Sequence, residues 1–524
     1  MRVRKGKPMK LLARKPLEVL LEEMKGEHRL RRILGPIQLT SLGIGAIIGA
    51  GIFVATGAAA HNVGGPALML SYTVAGITCV FAALCYAEFA SMVPVAGSAY
   101  TYAYATLGEL FAWIIGWDLV LEYAVGSATV ATGWSGYFQN VLAKVGLVLP
   151  ATMRSSPWRF ENGFFVHTGS YINLPAVVIV TIVTIILVKG IQESATFNAT
   201  MVGIKVVAVL FVIGVGAFYI DRANWHPFAP YGWTGLNFFG LNIAGQQNAG
   251  GQPVGMLAGA AIIFFAYIGF DSVSTHTEEA KNPQRDVPIG IVTSLIVCTI
   301  LYIAVVAVLT GMVKYDQLDI NAPVSLAFKQ KGIGWAEGVI ACAGVAGITS
   351  VMLVMMLSAP RVFLAMARDG LVPRSFFGAV HPRFRTPWKA TILIGVSVII
   401  MAGLLPLDAL LLLTNIGTLF AFVIVCAAVL IMRRIYPNAE RPFRCPWVPF
   451  IPIMGVLSCL MLMFSLPWDN WVRLFGWMAI GLVIYFSYGR KHSVMALNLA
   501  KEIAEHGAGG AYTSGTHEPT SRQA

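Results

Sequence analysis

The sequence predicts an all-α membrane protein with about twelve transmembrane helices. Three observations lead there. Only 12% of the 524 residues are charged and 57% are hydrophobic, whereas soluble domains carry about 25% charged residues. Apolar runs near the roughly 20 residues that a bilayer requires recur along the chain. Lys and Arg are sorted between alternate connecting segments. A membrane barrel is excluded, because it would show short alternating segments instead of long apolar runs. The net charge of +12 marks topology and gives no reason to expect nucleic acid.

The elements follow in order. Residues 1–35 are basic and amphipathic and lack the apolar core of a signal peptide. They form a cytoplasmic N-terminal segment. Apolar runs then fall near 37–60, 66–90, 109–133, 171–190, 197–219 and 255–275. A second series falls near 288–313, 335–358, 389–405, 409–432, 449–467 and 470–488. Spans 1 to 10 make a core over 36–433, and spans 11 and 12 occupy 434–490. The stretch 491–524 ends in HGAGGAYTSGTHEPTSRQA, a disordered cytoplasmic tail by composition.

Orientation rests on the basic residues. With the N-terminus inside, only Lys144, Arg154, Arg159, Arg222, Lys314, Lys329, Lys331 and Arg473 fall on outer segments. Lys205 lies within span 5. Every other Lys and Arg lies on the inner side, which places both termini in the cytoplasm. The seven cysteines are scattered without CxxC spacing, so neither a metal site nor a disulfide framework is indicated.

Two spans are irregular. Span 1 contains GIGAIIGAGIF, with Gly43, Gly45, Gly49 and Gly51 in one short stretch. Glycine weakens a helix that must satisfy its own backbone. Span 6 contains FFAYIGFD, where Gly269 and Asp271 interrupt an apolar run. The two spans lie five apart, an odd number. A second group of five that copies the first must enter the membrane from the opposite face. Inverted repeats with paired interrupted helices point to the central site of a transporter. A broken helix offers N–H groups and a positive dipole end to a carboxylate, and carbonyls to an ammonium. Every free amino acid carries both groups. Gly45-x-x-x-Gly49 is also a helix-packing motif; the matching break in span 6 favours the binding site.

Charged residues inside spans face the interior and are usually functional. Lys205 sits about 12 Å into span 5 at 1.5 Å per residue. Glu122 lies near the middle of span 3, and Asp118 shares its face. Glu88 ends span 2. Asp118 and Glu88 read equally well as interhelical hydrogen-bonding groups. Glu278 and Glu279, beside Lys281 and Arg285, suit ion pairs with Arg361 or Arg368, or a solvated loop. His61 and His276 sit at span ends and read as solvated.

GIGAIIGAGIF, the stretch FFAYIGFDSVSTHTEEAKNPQRDVPIGIV, and APRVFLAMARDGLVP after span 8 resemble the amino acid–polyamine–organocation superfamily. The nearest resemblance is to bacterial relatives of the cationic amino acid transporters, over residues 35 to 490. The resemblance implies the five-plus-five inverted-repeat fold of the leucine-transporter type, with broken helices 1 and 6 and two additional helices. It implies that amides around Gly49, Ala50 and Gly51 take the substrate carboxylate. The carbonyls of Ile47, Phe265 and Ile268 would take the α-ammonium, and Phe265 and Tyr267 would wall the pocket. Relatives often have a hydroxyl residue where Ala50 stands. In proton-coupled relatives a lysine stands at the position of Lys205; as a carrier it exchanges a proton, and as a fixed cation it merely pins span 1. Glu122 and Asp271 become pocket or gating residues.

The expected function is a secondary active permease for L-amino acids in the plasma (inner) membrane, coupled to protons by symport. An exchanger and a transporter-like sensor are the alternatives. A channel would need a filter or charge rings. An enzyme would need a nucleophile–base pair or metal cluster in the spans, and neither is visible. No cofactor beyond the coupling proton and no metal are expected. The expected partners are the amino acid and the bilayer, with a small accessory membrane subunit or a homo-oligomer left open. Which amino acids are carried is not legible.

Overall fold

The computed structural model describes residues 14–15, 34–92, 98–161, 164–190, 195–275, 277, 280–320, 322–495 and 497. Most of the basic segment and of the tail, together with His276, Glu278 and Glu279, lie outside the described residues. The fold is helical, with α1 (Pro36–Ile47), α2 (Leu68–Met92), α3 (Ser98–Thr106), α4 (Glu109–Lys144) and α5 (Leu174–Lys189) in the first part. Next come α6 (Ala195–Gly216), α7 (Met256–Ile263), α8 (Pro283–Met312), α9 (Pro323–Gln330) and α10 (Gly334–Arg368). The chain closes with α11 (Trp388–Leu404), α12 (Leu407–Ile435), α13 (Phe450–Phe464) and α14 (Trp468–Ile484). Three small antiparallel hairpins lie in the connections after α4 and α6.

Among the described residues, eight helical stretches are at least 18 residues long and apolar enough to cross a membrane. Three shorter apolar helices, α5, α11 and α13, accompany them. One of the eight, Pro36–Met92, is 57 residues long. It turns at Gly65, whose φ of +58° suits glycine, and so carries the first two apolar runs.

The core lies where α4 runs along α10 and α12, and where α8 packs on α1 and α2. Small residues allow this approach: a Cβ on Gly290 of α8 would lie 2.9 Å from the Leu39 Cβ of α1. Outward faces stay apolar. Val178, Ile182 and Ile185 on α5 are exposed, as are Ile392, Val396 and Ile400 on α11. A water-soluble protein rarely leaves such stripes uncovered; hydrocarbon chains are their natural neighbours.

Candidate functional site

The two irregular spans are broken where the sequence predicts. In span 1, α1 ends at Ile47 and Ile48 is extended, with φ −71° and ψ 105°. The chain resumes as a wide π turn at Gly51–Ala55. In span 6, α7 ends at Ile263 and tightens into a 3-10 turn over Phe264–Tyr267. Ile268 is then extended, and Gly269 takes φ +117° before a short helix at Ser272–Thr275. Only glycine adopts that φ without strain.

The breaks rest on each other. A Cβ on Gly51 would lie 2.2 Å from the Ala266 Cα, and one on Gly269 would lie 2.8 Å from the Ala46 carbonyl oxygen. Both glycines therefore serve backbone-to-backbone contact between the spans.

Carbonyls near a mid-membrane break need partners. Side chains from neighbouring helices supply them. Tyr302 of α8 places its hydroxyl 2.8 Å from the Ile47 carbonyl and 3.2 Å from that of Ala266. It has one proton, so the shorter contact is the main bond. Thr56 and Tyr72 share a 2.7 Å hydrogen bond and reach the Gly51 carbonyl at 3.3 and 3.4 Å. Tyr137 donates to Phe53, and Tyr267 donates to Tyr72 at 2.8 Å. Asn415 of α12 donates to the carbonyls of Ala261 and Ile262 at 2.9 and 2.7 Å. The rings of Tyr72, Tyr267 and Tyr302 also pack edge to face or tilted, at 5.5 to 6.2 Å.

Lys205 is fully buried and donates to the Gly45 carbonyl of α1 at 2.6 Å. Its stem lies against Gly347 of α10. It thus links span 5 to the inner part of span 1 within one turn of the break. The amides of Gly49, Ala50 and Gly51 stand where the helical run resumes, and all three residues are buried. Phe265, Tyr267 and Ile268 are buried at the other break. The Phe265 carbonyl accepts from the Ile268 amide at 3.2 Å.

Asp271, just past the span 6 break, accepts from the Tyr123 hydroxyl at 2.8 Å through Oδ2. Asp271 also lies within electrostatic reach of Glu122 on α4. Among the described residues neither oxygen of Glu122 has a hydrogen-bond partner. The Thr418 hydroxyl stands nearby but donates to the Thr414 carbonyl at 3.2 Å. Asp118 lies one turn earlier. It packs on Gly417 of α12, and neither of its oxygens has a partner among the described residues.

Glu88 has a different role. Arg433 grips it at 2.8 and 3.1 Å, Arg441 approaches at 3.3 Å, and the Cys445 amide donates at 2.8 Å. It ties α2 to the α12–α13 connection and lies apart from the breaks. His61 is held by the Leu318 carbonyl at 3.1 Å.

A family model described as amino acid permease matches residues 34–486, a range that contains both breaks, Lys205 and the buried acids. The chain belongs to the amino acid permease family. It is 47% identical over 481 residues to the branched-chain amino acid permease BcaP of Bacillus subtilis, covering 92% of this chain and 98% of that one. It is 44% identical to a methylthioribose transporter of the same organism, covering 93% and 99%. It is 30% identical to the vacuolar cationic amino acid transporter 4 of Arabidopsis thaliana, covering 93% and 96%. This permease is therefore a member of the amino acid–polyamine–organocation superfamily, and its relatives are named permeases and transporters, not enzymes.

Sequence reasoning missed the hydroxyls that serve this permease's breaks: Tyr72, Tyr123, Tyr137, Tyr302 and Thr56, with the amide of Asn415. Their signal was a polar atom inside an apolar run, as in LLLLTNIGTLF for Asn415.

Proposed function

We propose that the chain is a secondary active transporter that carries L-amino acids by proton-coupled symport. It works by alternating access between two inverted five-span repeats, with two further spans outside the repeats. The observation that carries this reading is the pair of breaks in contact, Gly51 on Ala266 and Gly269 on Ala46. The amides of Gly49, Ala50 and Gly51 would receive the carboxylate. The carbonyls of Ile47, Phe265 and Ile268 would receive the α-ammonium, with Phe265 and Tyr267 as walls. Ammonium binding at Ile47 would displace the Tyr302 hydroxyl toward Ala266. The sorting of Lys and Arg supports both termini in the cytoplasm, and the proposed location is the plasma (inner) membrane.

Lys205 is the proposed proton carrier. An ammonium in the spans is stable only with a partner, and the Gly45 carbonyl is one. Losing a proton to water would weaken that bond and release span 1. The lysine charge would also repel sodium there. The same bond favours a second reading, in which Lys205 is a permanent pin and the protein exchanges amino acids without net proton flux. Lys205→Gln separates them. As a carrier, the variant loses pH-driven accumulation and keeps substrate exchange. Unchanged accumulation by a folded variant would end the carrier role.

The substrate side chain is proposed as apolar and branched first, from the likeness to the permease named for such amino acids. Cationic side chains need a counter-charge, and Glu122 and Asp271 are the groups that could supply it. Thermal-shift screening of free amino acids, followed by uptake into proteoliposomes, tests this choice.

A further inference from the structure

Three carboxylates meet in the seam between α4, α12 and the span 6 break. Asp118 and Glu122 stand four residues apart on α4, so they share one face. Asp271 joins them: it lies within electrostatic reach of Glu122 and accepts from Tyr123 at 2.8 Å. All three are at least 97% buried: Asp118 and Asp271 are 1% exposed and Glu122 is 3% exposed. Both oxygens of Asp118, both of Glu122 and Oδ1 of Asp271 have no hydrogen-bond partner among the described residues. None of the three has an ion pair among the described residues either.

Among the described residues no salt bridge supplies a compensating charge to these acids. From α12 the seam receives Gly417, Thr414 and Thr418; both hydroxyls donate along their own helix. From α2 it receives Tyr86, and from α3 Tyr102. From α4 it receives Tyr123. The Tyr86 ring packs on Phe270, the neighbour of Asp271, at 5.9 Å. Its hydroxyl is fully buried and also lacks a partner among the described residues. An independent polar group thus waits at the same place with nothing to bond.

Asp118 and Glu122, with no partner among the described residues, cannot both stay ionised in a dry interior beside Asp271, which is held through Oδ2 by Tyr123. An ionised carboxylate there is costly without a partner, and adjacent like charges add to the cost. A proton is the smallest ligand that removes the charge, and a protonated carboxyl also gains a donor for its neighbours. We propose that Asp118, Glu122 and Asp271 form a proton-binding site, separate from Lys205. Each carboxylate that takes a proton from water forms one O–H bond, and that bond breaks when the proton returns to water. With all three protonated the seam is neutral and stays closed. On release, repulsion between α4 and the span 6 break favours opening.

The transport role rests on the reading given under Proposed function, but the occupancy of the site does not. Infrared spectroscopy of the purified protein tests occupancy through the carbonyl stretch of neutral carboxylic acids. The expected result is such a band at neutral pH that weakens in Asp118→Asn and in Glu122→Gln and is insensitive to sodium or potassium. No neutral-carboxyl band in the unmodified protein overturns the proposal. So does a band that neither variant alters, or one that sodium or potassium abolishes, since the site then takes a metal cation.

The role is tested by amino acid exchange in proteoliposomes across a range of pH. Asp118→Asn, locked neutral, should exchange with a flatter pH profile than the unmodified protein. A pH profile identical to that of the unmodified protein overturns the coupling role. Absence of exchange by the unmodified protein with every amino acid would count against the transporter reading, while the infrared band still decides the site.

Discussion

Gly51 of span 1 and Ala266 of span 6 touch backbone to backbone, and a Cβ on Gly51 would lie 2.2 Å from the Ala266 Cα. The contact joins the two places where the spans lose their helical ladder. It also predicts a sharp sensitivity. Gly51→Leu should abolish uptake, because its side chain can be housed only by driving the breaks apart. Gly269→Ala should do nearly the same, through strain at φ +117° and the Ala46 carbonyl. Initial uptake rates in proteoliposomes, with folding verified by size-exclusion profile, give the check. Normal uptake by folded Gly51→Leu would mean that the breaks do not need to touch.

Tyr302→Phe removes the hydroxyl that serves Ile47 and Ala266. An unsatisfied buried carbonyl costs about 1–3 kcal/mol, so Tm should fall. Bound amino acid should recover part of the loss, because its ammonium can take the Ile47 carbonyl. The substrate-induced rise in Tm should therefore be larger in the variant than in the unmodified protein. An equal rise in both would separate Ile47 from ammonium binding.

Glu88→Gln removes a charge held by Arg433 and Arg441. Breaking a buried pair from one side costs about 3–5 kcal/mol. The partial exposure of Arg433, 28%, moderates this. Thermal stability should drop clearly, while substrate affinity of the folded fraction stays unchanged, because Glu88 lies away from the breaks. A selective loss of affinity without loss of stability would place Glu88 in the transport machinery instead.

The contrast between Glu88 and Glu122 shows what the sequence could convey. Both are acids in apolar runs, and nothing local tells them apart. The partners of Glu88 come from Arg433, Arg441 and Cys445, hundreds of residues away, so its role emerged only on folding. The breaks were legible because glycine and aspartate violate the local pattern of a span. The tyrosines were not, because an aromatic residue in an apolar run reads as packing. Helices α3 and α9 escaped notice because they are short, at 9 and 8 residues. Span 3 was cut at 133 because GWSGYFQNVLAK dilutes its apolar run, yet α4 continues to Lys144.

If cationic amino acids are carried, Glu122→Gln should weaken arginine or lysine uptake much more than alanine uptake. Paired uptake assays at matched expression give the comparison. Equal losses would assign Glu122 to structure, gating or the proton site, and leave selectivity to pocket size.

The central claim is that the paired breaks hold the head group of an amino acid, and that a proton moving down its gradient drives the amino acid across. Radiolabelled amino acid uptake into proteoliposomes under an imposed inward proton gradient tests it most directly, with the methyl ester and the des-amino analogue as competitors. The predicted result is accumulation that needs the pH gradient and not sodium, blocked by the free amino acid and by neither analogue. Sodium-dependent uptake, or equal competition by the methyl ester, would contradict it.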